Sequence, residues 1–240
     1  MEGQAAVRRI ERALLVDADD TLWENNIFYL HCLARFQDYM ASFGCDREAA
    51  AAMLDRAERE TIPTMGYGPD GYVAALGIAC ERLLDNGSGV PPGAVEGARK
   101  LGDSVLNMPM IVLPGVEATL AALWRSSELV LVTKGDLRVQ QDKLARSGLT
   151  RRFDAVYVVA EKDAAVYRRI AAERGLRPGY TWMVGNSPKS DINPAIEAGL
   201  GAILVPHDHT WTAEVQQLER AELVVTLERF ADLVPFFGVE

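Results

Sequence analysis

Asp17 and Asp19 stand two residues apart in "LLVDADDTLW", directly after a short apolar run, and they are the first groups whose type and spacing could do chemistry. On an extended segment residues two apart point the same way, so the carboxylates repel unless a divalent cation bridges them or one holds a proton. A hard cation such as Mg²⁺ takes oxygen ligands, commonly one or two carboxylates with phosphate oxygens and water. A carboxylate can also attack phosphorus as a nucleophile, splitting a hydrolysis into two steps through an aspartyl-phosphate. By itself the stretch is equally an acidic turn in which Asp17 or Thr21 caps local backbone groups.

Three later groups bear on that choice. Thr133, Lys134 and Gly135 close the run ELVLVT with a hydroxyl, a cation and a backbone amide, all suited to a phosphate oxygen. A threonine after a strand is also ordinarily a helix cap. Lys162 follows AVYVVAE at another strand end, where an isolated lysine would normally face solvent. The segment "VGNSPKSDINPAIEAG" offers Asn186 and Asp191, an amide oxygen and a carboxylate that could complete a cation site. Ser190 or Asp191 could instead cap the helix that follows.

The elements that must position these groups follow from periodicity. Residues 13–16, ALLV, form a short apolar strand of the kind buried on both faces. Residues 24–110 read as all-helical, with FYLHCLARFQDYM and REAAAAMLDRAERE at helical spacing. Two Gly/Pro-rich loops, TMGYGPDGY and DNGSGVPPG, interrupt that region, and the second precedes the helical AVEGARKLGDSVL. After residue 114 helices alternate with strands: GVEATLAALWRS, then ELVLVT, DLRVQQDKLARSGL, AVYVVA, KDAAVYRRIAAERGL, TWMVGN, SDINPAIEAGL and GAILVP. Such alternation predicts βαβ crossovers and an α/β fold, a Rossmann-like parallel sheet with helices on both faces. Ligands in these sheets bind beyond the carboxyl ends of the strands, where Asp17, Thr133, Lys162 and the loop from Gly185 all lie.

In this order, at successive strand ends, the groups resemble the haloacid dehalogenase-like hydrolase superfamily. DADDT fits its first motif, D-x-D-x-T; LVT fits the second, Lys162 the third and GNSPKSD the fourth. The resemblance implies a core of residues 1–23 and 111–240, with residues 24–110 as an inserted helical cap of the C1 type. It implies a phosphatase acting on a small phosphorylated metabolite. Asp17 would be the nucleophile, and Asp19 the acid that protonates the leaving oxygen and then the base that activates water. Thr133 and Lys162 would hold the phosphoryl group. Mg²⁺ would sit on Asp17, the backbone carbonyl of Asp19, Asn186 and Asp191. Two positions depart from the pattern: Asn186 stands where many members carry aspartate, and Asp163 follows Lys162 in place of a frequent proline. The superfamily's metal-free dehalogenases lack the second aspartate of the first motif, so Asp19 favours phosphate ester hydrolysis. A phosphomutase would use the same residues. A non-enzymatic receiver domain would need its acceptor aspartate on a later strand, and none precedes Thr133 in ELVLV.

Other features bound the function. A net charge of −9 over 240 residues argues against nucleic acid or an anionic membrane surface as partner. Cys32, Cys45 and Cys80 lack C-x-x-C spacing and read as reduced thiols. No leader-like apolar run begins the chain and no stretch is long enough to span a bilayer, which together predict a cytoplasmic protein; oligomeric state is left open. Glu24, Asn25 and Asn26 would shape the entrance or cap the first helix of the cap. Phe28, Tyr29, His31 and Phe36 line a pocket or belong to a helical core. His207, Asp208, His209 and Trp211 follow the last strand read from the pattern; two histidines and an aspartate suggest a metal site, but a His-x-His in a loop without further ligands is more often structural.

Overall fold

The computed structural model describes residues 8–85 and 89–239. The reading of residues 1–7 as free of a leader, and residues 86–88 of the second predicted loop, lie outside these. The chain divides into two compact units, Met1–Glu24 with Met110–Glu240, and Asn25–Pro109.

The first unit begins with strand β1, Arg12–Val16. Among the described residues the second unit holds five helices: α1 Asn26–Ala41, α2 Arg47–Met65, α3 Pro69–Leu84, α4 Ala94–Leu101 and α5 Asp103–Leu106. Their shared core takes Phe36, Met40, Leu54, Tyr72, Leu76 and Val105. Phe36 is fully buried there, while Phe28 and Tyr29 pack against it and Tyr29 meets Tyr72 edge to face at 4.9 Å. These aromatics therefore build a core, and His31 is exposed. Asn25 stands at the N-cap of α1 without a side-chain cap bond, so the capping reading does not hold for it. The predicted TMGYGPDGY loop shrinks to residues 66–68. Gly66 ends α2 at a φ of 73°, and Pro69 opens α3 at a position where its fixed φ and missing N–H cost nothing.

The first unit continues with α6 Val116–Leu123, β2 Ser127–Lys134, α7 Leu137–Ser147, β3 Ala155–Val159, α8 Ala164–Glu173, β4 Thr181–Gly185, α9 Asn193–Glu197, β5 Gly201–Leu204, β6 Val224–Thr226 and α10 Leu233–Phe236. Neighbouring strands of the sheet all pair in parallel, and the strand order is β3-β2-β1-β4-β5-β6. Alternation along the strands sends side chains to opposite faces. Leu14, Val16, Leu129, Leu131 and Val184 join Leu120, Leu123 and Leu144 on one face. Leu15, Val130, Val132 and Met183 join Tyr167, Ile170 and Ile196 on the other. Strand β6 and α10 were not read from the sequence, because a three-residue strand after an irregular polar stretch carries no usable period. Among the described residues no helix is long and apolar enough to cross a membrane.

The order matters for chemistry. β1 has β2 on one side and β4 on the other, so successive crossovers leave it in opposite directions. Sheets of this order bind ligands beyond the carboxyl end of the strand at which the order reverses, here β1. Asp17 is the first residue past that end, and its N–H donates to the Val184 carbonyl of β4 at 2.9 Å.

Candidate active site

Asp17 is buried, and both of its carboxylate oxygens are engaged. Lys162 Nζ donates to Oδ1, and Thr21 Oγ1 donates to Oδ2 at 2.9 Å. The same lysine donates to Asp191 Oδ1 at 2.8 Å, and its side chain is only 3% exposed. Lys162 is thus no surface residue. Burial alone would lower its pKa, but the Asp17 and Asp191 carboxylates outweigh that and hold it well above the ordinary lysine value. Asp191 moves the other way. Burial and the nearby Asp17 charge push its carboxyl up to about 7 against the pull of Lys162. Two buried carboxylates thus share one ammonium, an arrangement that a further cation would balance.

Asn186 follows β4 and joins this group through Thr21, whose Oγ1 lies 3.2 Å from Asn186 Oδ1 as well as 2.9 Å from Asp17 Oδ2. Asp17, Asn186 and Asp191 form an all-oxygen donor set, the kind a hard divalent cation takes. Asp191 is held in place by the Ser187 N–H, which donates to its Oδ2 at 3.0 Å. It belongs to a wide helical turn, Pro188–Ile192, in which the Ile192 N–H reaches the Ser187 carbonyl five residues back at 3.1 Å. Such turns recur at functional sites. The helix predicted over residues 190–200 is therefore a wide turn followed by the short α9. A Cβ added at Gly185 would overlap the Asp191 carboxylate, so glycine at the end of β4 makes room for it.

Thr133 lies near the end of β2, the strand next to β1. Its Oγ1 is buried and meets no hydrogen-bond partner among the described residues. Asp136 caps α7 instead, accepting from the Arg138 and Val139 N–H groups at 2.9 and 3.0 Å, so Thr133 is not a helix cap. An unpartnered buried hydroxyl is costly unless a ligand meets it.

Two groups expected to meet phosphate are engaged elsewhere. The Gly135 N–H donates to the Val159 carbonyl at 3.1 Å. Lys134 Nζ pairs with Glu214 Oε1 at 2.7 Å and lies 3.3 Å from Ser190 Oγ. Glu214 was not foreseen. It sits in the turn Thr212–Glu214 and also accepts from Ser187 Oγ at 2.7 Å and from Ser190 Oγ. Burial would raise its pKa, yet Lys134 and the two hydroxyls bring it down to about 2. No period in the irregular stretch around it marks it in advance.

Asp19 faces a different set of groups. Its carboxylate accepts from Trp23 Nε1 at 2.7 Å, Gln140 Nε2 at 2.9 Å and Lys143 Nζ at 2.9 and 3.0 Å. Burial opposes ionisation, but the Lys143 ammonium and these hydrogen bonds prevail and leave its pKa below the ordinary aspartate value. Gln140 and Lys143 lie three apart on α7 and are both buried, beside Leu144. Asp20 takes a φ of 60°, which shapes the turn after the first two aspartates.

On the loop after β5, His207 Nε2 lies 3.4 Å from Glu24 Oε2, and Nδ1 accepts from the His209 N–H at 3.2 Å. Burial keeps the His207 pKa below the ordinary histidine value despite Glu24. Asn186 Nδ2 donates to Thr210 Oγ1 at 2.9 Å, tying this loop to the cation-type donor set. All three cysteines are free.

Comparison with known proteins adds a family. Residues 11–199 match the family model described as haloacid dehalogenase-like hydrolase. A phosphoserine phosphatase from Thermus thermophilus is 30% identical over 146 residues, 58% of this chain and 59% of that protein. An N-acylneuraminate-9-phosphatase from Mus musculus is 30% identical over 98 residues, 39% of this chain and 40% of that one. The chain thus spans about three-fifths and two-fifths of these relatives. Among solved structures, a haloacid dehalogenase-like family hydrolase from Xanthomonas campestris matches with a TM-score of 0.80 at 26% identity, over 98% of this chain and 94% of that one.

Proposed function

Because this chain belongs to the haloacid dehalogenase-like hydrolase family, we propose that it is a Mg²⁺-dependent phosphomonoesterase acting on a small phosphorylated metabolite through an aspartyl-phosphate on Asp17. The observation that carries this reading is the buried Lys162 ammonium joined to both Asp17 and Asp191 beyond the carboxyl end of β1. The phosphatase relatives support the choice of phosphate ester.

Phosphoryl transfer is catalysed mainly by positioning and by offsetting negative charge. An Asp17 oxygen attacks phosphorus and the bond to the ester oxygen breaks, with that oxygen taking a proton from Asp19. The Asp19 carboxylate then removes a proton from water, whose oxygen attacks phosphorus, releases phosphate and restores Asp17. The donors around Asp19 favour its carboxylate form, which the second step uses; giving a proton in the first requires it to leave Lys143. Thr133 supplies a hydroxyl whose partner would be a phosphoryl oxygen. Asp17, the Asp19 carbonyl, Asn186 and Asp191 would hold Mg²⁺, which when bound supplies positive charge against the phosphoryl oxygens. Residues 24–110 are proposed as the cap in which substrate choice resides.

The test is release of inorganic phosphate from an aryl phosphate and from a broad panel of phosphorylated metabolites. Activity should require Mg²⁺, stop with a chelator, and disappear in Asp17→Asn. No release from any member of the panel with Mg²⁺ present sinks the reading.

A further inference from the structure

A cluster of possible metal ligands in the first unit lies outside the proposed chemistry. Glu24, His207 and His209 each offer a ligand atom, and the three atoms lie within 4.8 Å of one another. Glu24 comes just after the β1 turn and the histidines from the loop after β5, so the fold, not local sequence, supplies the third group. It is Glu24, in place of the adjacent Asp208, that completes the His-x-His pair.

From this geometry we infer that Glu24, His207 and His209 form a second divalent-cation site, one that takes a first-row transition ion such as Zn²⁺. The donor chemistry separates it from the proposed Mg²⁺ set. Two imidazoles and one carboxylate suit zinc, iron or nickel, whereas Asp17, Asn186 and Asp191 offer oxygen alone. Spacing agrees too. Bonds of about 2.0–2.1 Å at tetrahedral angles place neighbouring ligand atoms roughly 3.3–3.4 Å apart. His207 Nε2 and Glu24 Oε2 stand at 3.4 Å. Glu24 Oε2 is buried and, apart from His207 Nε2 at 3.4 Å, meets no hydrogen-bond donor among the described residues. Asp20 Oδ1, 3.9 Å from His207 Nδ1, adds negative charge beside the cluster.

Binding has one identifiable cost. His207 Nδ1 now accepts from the His209 N–H at 3.2 Å, which places the ring proton on Nε2. Ligation through Nε2 moves that proton to Nδ1 and gives up this hydrogen bond. Three protein ligands leave a fourth position open to water or a ligand atom. The loop is joined to Asn186 through Thr210, whose Oγ1 accepts from Asn186 Nδ2 at 2.9 Å and lies 3.0 Å from the His207 carbonyl.

The test reads metal binding, so it stands apart from the phosphatase reading. Full-length protein is stripped with a chelator, dialysed, and titrated with Co²⁺ by visible absorption, then with Zn²⁺ by calorimetry, both in excess Mg²⁺. One equivalent of Co²⁺ should bind and be displaced by Zn²⁺. His209→Ala and Glu24→Gln should each weaken binding by more than about a hundredfold, while Asp191→Asn leaves it unchanged. Circular dichroism checks that the variants fold, and Glu24→Gln decides if His209→Ala does not. No stoichiometric Co²⁺ binding, unchanged affinity in Glu24→Gln, or loss in Asp191→Asn instead would each overturn the site.

Discussion

Glu214 in the sheet unit and Glu58 in the helical unit are both carboxylates drawn away from water, and they end on opposite sides of the ordinary range. Glu214 meets an ammonium and two hydroxyls, which outweigh burial and bring it down to about 2. Glu58 lies on α2, where burial and the neighbouring Asp55 outweigh Arg59 and push it up to about 7. The sheet unit surrounds its buried charges with partners, because strand ends from different parts of the chain deliver them to one place. Around Glu58 the charged neighbours that set its proton, Asp55 and Arg59, belong to its own helix and oppose each other. Of this pair, the carboxylate whose partners come from distant parts of the chain is held ionised, and the one whose charged neighbours come from its own helix keeps its proton to about 7.

The contrast is broken most severely at Asp17. Asp17→Asn keeps the shape and removes the proposed nucleophile, and should cut phosphate release by at least ~10³-fold in a steady-state assay. Lys162→Met comes next. It should cost on the order of a hundredfold in turnover. It should also destabilise the fold by about 3–5 kcal/mol in denaturant titrations, because Asp17 and Asp191 lose their shared cation. Near-normal turnover and stability would remove Lys162 from the site.

Glu214→Gln tests the paired side of the contrast through pH. With a folded pKa of about 2 against an ordinary 4.5, Glu214 contributes stability that is complete above about 4.5 and is lost as pH falls toward 2. At pH 7 that contribution is about 3 kcal/mol, so urea midpoints of wild type and variant should differ there and converge at low pH. A constant gap across pH would assign the loss to packing. Glu58→Gln should act with the opposite sign and less strongly. The folded state keeps the Glu58 proton to about 7, whereas the unfolded chain releases it near 4.5, so wild-type stability falls as pH rises between those values. The variant should gain about 1–2 kcal/mol at pH 8 and nothing at pH 4, measured by thermal unfolding.

The sheet was legible because its strands carry a strong signal. Leu14 and Leu15 must face opposite helical layers, so β1 reads as a continuous apolar run. Polar residues at the ends of such runs stand out, which is how Asp17, Thr133, Lys162, Asn186 and Asp191 were found. Partners that approach from a helix flank or an irregular loop were not legible. Gln140 and Lys143 look like surface residues until α7 is laid on the sheet, and Glu214 has no period around it. Lys134 and Gly135 were read from position alone, which cannot show that a carboxylate and a carbonyl already hold them. The loop predicted over TMGYGPDGY failed because glycine and proline there punctuate helices without separating them widely.

Gly185 carries no functional group, yet the Asp191 carboxylate occupies the space its side chain would need. In a library of all single substitutions, this position should tolerate as few replacements as Asp17 itself. Alanine, the mildest change available, would displace an acid and not merely crowd a strand. Sequence drift at the end of β4 is therefore constrained by a hydrogen atom.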